Sequence, residues 1–148
     1  MASGSEKAAE SFSKGFNCAQ SVFSAFAPSY GMEEREALRI ASGFGAGMAR
    51  LQEVCGAVTG AFMVIGAANG DEVPADHTAR KKTYEDVRTF DRRFREIHGS
   101  ILCRDILGVD MDTEEGQRTL KEKDLFNTVC AKCVRDAAEI AEELVSRG

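Results

Sequence analysis

Apolar positions along the 148-residue chain recur every three or four residues, and alternating β-branched runs are scarce. That period belongs to amphipathic helices, so the expected class is all-α. A short helix is predicted over residues 5–14, ended by Gly15. A second starts at or beside Cys18, where Asn17 and Gln20 have the spacing of a capping box and Pro28 follows the last turn. A third covers about 33–42, with acidic residues in its first turn. It gives way to "GFGAGM", whose Gly43, Gly45 and Gly47 make regular structure improbable. A fourth helix is predicted from near Glu53 to near Gly70. Tyr84, Val87, Phe90, Phe94 and Ile97 then mark one face of a long helix over 76–98. Ser100 is positioned to cap a short helix stopped by Gly108, and Thr113 another. Phe126, Val129, Cys130, Cys133, Val134, Ala137, Ile140, Ala141 and Leu144 trace the buried face of a closing helix. The length suits one domain, 1–148, read as a compact bundle of about five to seven helices.

Charge and composition narrow the function. The net charge is −5 with both signs interspersed, which leaves no broad positive field for phosphates, so no nucleic-acid partner is expected. Arg80, Lys81, Lys82, Arg92 and Arg93 alternate with acidic residues and read as a solvated helix face. The first residues lack the apolar run of a secretory signal, and the expected location is cytoplasmic. The longest apolar stretch, Ala57 to Ala68, is too short to span a bilayer and reads as a buried helix, with no membrane insertion. The glycine-bearing helix or the long amphipathic one offers a face for a homodimer.

Cysteine placement changes the picture most. Five cysteines in a reducing compartment point to metal binding or redox chemistry rather than to a disulfide scaffold. Cys18 follows Asn17, Cys55 opens the fourth helix, Cys103 lies three past Ser100, and Cys130 lies three past Asn127. All four are thus predicted in a first helical turn, where free N–H groups and the positive end of the dipole favour thiolate. Gly56 and Gly60 share a face, with Gly66 and Gly70 repeating the spacing, so another backbone can approach there. The alternative is ordinary small-residue packing. Cys130 and Cys133 form the only C-x-x-C, "CAKC". It lacks the βαβ context of a thioredoxin, has Val134 where c-type haem attachment needs histidine, and lacks the second pair of a zinc finger. Cys133 on the apolar stripe also reads as a small core residue. His98 is a candidate base or metal ligand, although its place in a last helical turn already accounts for it. His77 stands in a polar turn. The glycine loop fits no phosphate-binding fingerprint.

The pieces "FNCAQSV", "GFGAGMARLQEVCGAVTGA", "HGSILCRDILG" and "CAKCVRDAAEIAEEL", in that order over nearly the whole chain, resemble the redox-active protein family named for its cysteine pattern, C_GCAxxG_C_C. The resemblance implies a small helical protein with four characteristic cysteines: Cys18, Cys55, Cys103 and Cys130. Cys133 is extra to the pattern. The leading expectation is a thiol–disulfide or electron-transfer protein whose helix-start cysteines converge, acting on a redox partner protein or a small thiol and needing no cofactor. Cys55 is expected to attack, because Gly56 beside it leaves it accessible, with Cys18, Cys103 and Cys130 as candidate resolving sulfurs. The alternative is a zinc or iron–sulfur site on the same four residues. A third reading is a structural bundle with inert thiols.

Overall fold

The computed structural model describes residues 2–146, and among these the chain is all-helical, with eight α-helices and no strand. Helices α1 (Gly4–Ser13), α2 (Cys18–Phe26) and α3 (Glu34–Ala41) precede α4 (Gly56–Asn69) and α5 (His77–His98). Helices α6 (Cys103–Leu107), α7 (Glu114–Glu122) and α8 (Ala131–Ser146) complete the chain.

The caps follow from residue chemistry. Ser3, Asp76 and Thr113 accept from the N–H three residues on and start α1, α5 and α7. Asn17 and Gln20 make the reciprocal box: the Gln20 N–H donates to Asn17 Oδ1 at 2.9 Å and the Asn17 N–H to Gln20 Oε1 at 3.0 Å. Their amides also donate to the carbonyls of Ser42 and Leu38, tying the start of α2 to the end of α3.

Helices α2, α4 and α8 pack against one another, with α1 laid over α2 and α8 and α5 over α4 and α8. Helix α4 is apolar nearly all round, as a central helix must be. Val22, Val58, Ile65, Phe90, Phe94 and Val134 are fully buried in this core. A second, smaller core gathers Cys103, Leu107, Met111, Leu120 and Leu125.

Gly56 and Gly60 are where α2 comes closest. A Cβ on Gly60 would stand 2.9 Å from the Ala19 carbonyl oxygen, and one on Gly56 3.1 Å from the Ala19 nitrogen. The expected close backbone approach is therefore present at this pair. It is absent at Gly66, where a Cβ would meet nothing within 4 Å. The long stripe is also narrower than its periodicity suggests: Phe90 and Phe94 are buried, but Tyr84 and Ile97 are exposed, because α5 covers α4 and α8 from one side only.

Candidate functional site

One cavity of about 470 Å³ opens where the two cores meet, and all five cysteines line it. Each arrives on a different support.

Cys18 is the first residue of α2, held there by the Asn17–Gln20 box. Cys55 is the N-cap of α4. Cys103 is the first residue of α6; Leu102, not Ser100, occupies the cap, and Ser100 Oγ instead accepts from the Leu102 N–H at 3.0 Å. A bridge joins the segments of Cys55 and Cys103: Val54 pairs antiparallel with Leu102, the Cys55 N–H donates to the Ile101 carbonyl at 2.7 Å, and the Cys103 N–H to the Glu53 carbonyl at 2.7 Å. Two cysteines 48 positions apart are thereby fixed side by side.

Cys130 departs from the expectation. Asn127 caps nothing; its amide donates to the Asp124 carboxylate. The chain turns at Asp124, whose φ is +49°, and enters a π-helical segment, Phe126–Cys130, that runs directly into α8. Cys130 therefore stands at the end of a widened turn and not in a first turn. Such π segments recur at functional sites, where the extra residue re-aims side chains. Phe126, expected on the buried face, is exposed at the cavity wall.

The glycine loop forms the remaining wall. After a short 3₁₀ turn, Ser42–Phe44, residues 46–50 run consecutively with φ between +54° and +68°. The Ala49 N–H donates to the Gly45 carbonyl at 2.8 Å, so this is one turn of left-handed helix. For non-glycine residues that handedness costs about 1–2 kcal/mol each, because Cβ crowds the next carbonyl. Gly47 admits the approach of Cys103, whose Cβ would lie 2.8 Å from a Cβ placed there. Arg50 leaves this turn as the one charged side chain among the described residues lining the cavity.

Burial is deep: Cys133 is 1 % exposed, Cys103 5 %, Cys55 7 % and Cys18 9 %, with Cys130 half-buried. Gly56 does not leave Cys55 open, contrary to the sequence expectation, because the Phe44 carbonyl and the Ala19 backbone occupy the space beside it. Cys55 reaches solvent through the cavity instead.

Electrostatics separates the sulfurs. The neighbouring Cys133 thiol, followed by the Ala57 and Val58 N–H groups at the start of α4, holds the Cys55 thiol below its ordinary value despite burial. Cys133 is pushed up, first by the neighbouring Cys55 sulfur and then by burial. Cys18 is pushed up by the neighbouring Cys130 sulfur, by burial, and by the nearby Cys55. Burial raises Cys103 to about 12. The expectation that helix starts would favour thiolate at Cys18 and Cys103 thus fails: at these two, desolvation and neighbouring thiols outweigh the partial charge of a helix end.

Cys133 and Asp136 escaped the sequence reading as site residues. Cys133 faces the cavity, and its Sγ lies 3.9 Å from His98 Nδ1, while His98 Nε2 lies 2.9 Å from Asp136 Oδ2. The available signal was the i, i+3 spacing of Cys130, Cys133 and Asp136, which places all three on neighbouring faces of one helix.

As a metal centre the arrangement does not fit. Among the described residues, no three histidine, cysteine, aspartate or glutamate side chains come together as a metal ion would require. The geometry of Cys18, Cys55, Cys103 and Cys130 does not supply the ligand set that the zinc or iron–sulfur alternative requires.

The chain is thus an all-helical scaffold that gathers thiols from separate segments around one cavity. Residues 16–144 match the model of the family described as "Putative redox-active protein (C_GCAxxG_C_C)", and the chain belongs to that family. No curated protein and no solved structure matches it. Among the described residues no helix is long and apolar enough to cross a membrane.

Proposed function

We propose that the protein is a cytoplasmic thiol–disulfide exchange protein that works on small organic thiols and disulfides inside the five-cysteine cavity. The observation that carries this reading is the pairing of one thiolate-favoured sulfur, Cys55, with further thiols on the same wall. Thiolate is the attacking form in exchange, and a neighbouring thiol completes the reaction. Burial favours a small thiol over a protein partner, because four of the five cysteines are buried and a folded protein's disulfide cannot enter about 470 Å³.

Alkylation of the reduced protein with iodoacetamide, mapped by mass spectrometry, tests this. Cys55 is expected to react first among the five at neutral pH. Uniformly slow reaction of all five thiols, or stoichiometric zinc or iron bound at them after purification without oxygen, overturns the proposal.

The single cation on the wall refines the substrate. Arg50 favours anionic reagents, so iodoacetate should react faster with Cys55, relative to iodoacetamide, than it does with free cysteine. Arg50→Glu should lower the iodoacetate rate by about tenfold while leaving iodoacetamide nearly unchanged, since reversing a charge on the cavity wall acts on the charged reagent and not on the neutral one. Equal effects on both reagents would remove Arg50 from substrate recognition.

A further inference from the structure

We propose that Cys133, the cysteine outside the family's four, is the resolving thiol of a Cys133–His98–Asp136 proton relay built into the back wall of the cavity. The proposal rests on the exchange reading above and adds the residue that resolves and the base that serves it.

Geometry carries it. Asp136 Oδ2 accepts from His98 Nε2 at 2.9 Å, which fixes the proton of the neutral ring on Nε2 and leaves Nδ1 as an acceptor. Nδ1 faces Cys133 Sγ at 3.9 Å, long for a hydrogen bond to oxygen but within range for sulfur. The ring is held from its other side by Phe94, with centroids 4.4 Å apart. Its surroundings are set by α8: Asp136, Lys132 and Cys133 face it from that helix, and Cys55 stands beyond Cys133. The Lys132 ammonium pairs with the same carboxylate oxygen at 2.5 Å. Burial lowers the His98 pKa more than Asp136 raises it, so the imidazole is a free base near neutrality.

The order of events follows from what each sulfur sees. In the reduced protein Cys133 neighbours Cys55 on the cavity wall, which favours thiolate at Cys55 and keeps the proton on Cys133. Cys55 attacks a small organic disulfide R–S–S–R, forming Cys55–S–S–R and releasing one RS⁻. Cys55 is then neutral, and the charge that held the proton on Cys133 is gone. Cys133 passes its proton to His98 Nδ1 and its sulfur attacks Cys55 Sγ, forming the Cys55–Cys133 disulfide. The second RS⁻ leaves and takes up the proton from the imidazolium. Two protein thiols are oxidised and one disulfide is reduced to two thiols, the first RS⁻ taking from solvent the proton that Cys55 gave up on ionising, and no other reactant is needed. His98 touches the reacting sulfur; Asp136 acts through it as a positioning residue.

The reduced full-length protein is mixed with bis(2-hydroxyethyl) disulfide, quenched with acid at intervals, and mapped by mass spectrometry across pH 5.5 to 9 (a working range of about this width spans the histidine and thiol titrations). Wild type should pass through a Cys55 mixed disulfide to a Cys55–Cys133 bond. Cys133→Ser should stop at the mixed disulfide. In His98→Asn, resolution should slow by about 100-fold relative to mixed-disulfide formation, the usual scale of one general base. Its rate should also rise with hydroxide up to the thiol range, where wild type levels off above the histidine titration. Asp136→Asn should shift that levelling and give a smaller slowing, and it carries the prediction if His98→Asn does not fold. Resolution in both variants at the wild-type rate and pH profile, or resolution onto Cys18 or Cys103, overturns the relay while the exchange reading stands. Failure of Cys55 to form any mixed disulfide in wild type overturns both.

Discussion

Cys55→Ser should abolish exchange with small disulfides, lowering the rate at pH 7 by at least about 1000-fold, because a hydroxyl does not ionise at that pH and oxygen does not take part in the exchange. The contrast that gives the result meaning is Cys103→Ser. Burial raises the Cys103 thiol to about 12, so at pH 7 its thiolate is about one part in 100,000, and its loss should cost the first step little. The pH profile follows in sign. A thiol whose pKa is lowered ionises earlier as pH rises, so alkylation of Cys55 should increase with pH and level off below the range of an ordinary cysteine. Cys103 should still be accelerating at pH 9. Alkylation rates of each sulfur, read by mass spectrometry against pH in wild type and both variants, check all of this. A plateau at Cys130 instead, with Cys55→Ser fully active, would move the attacking role to the half-buried sulfur.

Local chemistry made part of this site legible before any coordinates. Asn17 and Gln20 announce the start of α2, and with it the place of Cys18, because a capping box is satisfied entirely within four residues. Gly56 and Gly60 announce a close approach because a missing Cβ is itself the signal. Cys130 was misplaced for the opposite reason. Asn127 looks like a cap, but the turn is set by Asp124, whose carboxylate takes the Asn127 amide and whose carbonyl accepts from the Asn127 and Thr128 N–H groups. A π segment has no periodic signature short enough to be read from five residues. The His98–Asp136 contact joins positions 38 apart, and the Cys133–His98 contact positions 35 apart, so neither partner carries a mark of the other. At Cys18 and Cys103 desolvation and neighbouring thiols outweigh the helix dipole. Residue pattern marks Cys18, Cys55 and Cys103 as lying at helix starts, but does not tell how much water and how many other thiols surround them.

The left-handed turn is the least legible feature and yields the second large effect. Nothing in Ala46, Met48, Ala49 or Arg50 favours positive φ, and each residue held there costs about 1–2 kcal/mol. The compensation must lie in tertiary contacts, and Gln52 supplies it. Its side chain is buried; Nε2 donates to the Val109 carbonyl at 2.8 Å, and Oε1 accepts from the Met111 N–H at 2.8 Å. Its own carbonyl accepts from the Arg104 N–H and Nε at 3.2 and 3.1 Å. One residue therefore clamps the exit of the turn to the segment that follows α6. Gln52→Leu preserves bulk but leaves the Met111 N–H, in buried surroundings, without a partner and strips the Val109 carbonyl of its donor. The expected loss is about 2–4 kcal/mol, from about 1–3 for each orphaned group with the partly exposed carbonyl at the lower end. Against a typical total of about 5–15 kcal/mol this is a large fraction, and urea denaturation should show it as a lower midpoint with an unchanged slope. The same change should reach the chemistry. With the clamp gone the strained turn can relax, Gly47 withdraws from Cys103, and the wall that buries that thiol opens. Cys103 alkylation should then accelerate in Gln52→Leu under native conditions while Cys55 keeps its place at the start of α4. A variant that loses stability without unmasking Cys103 would show that the bridge between Val54 and Leu102 holds the wall by itself.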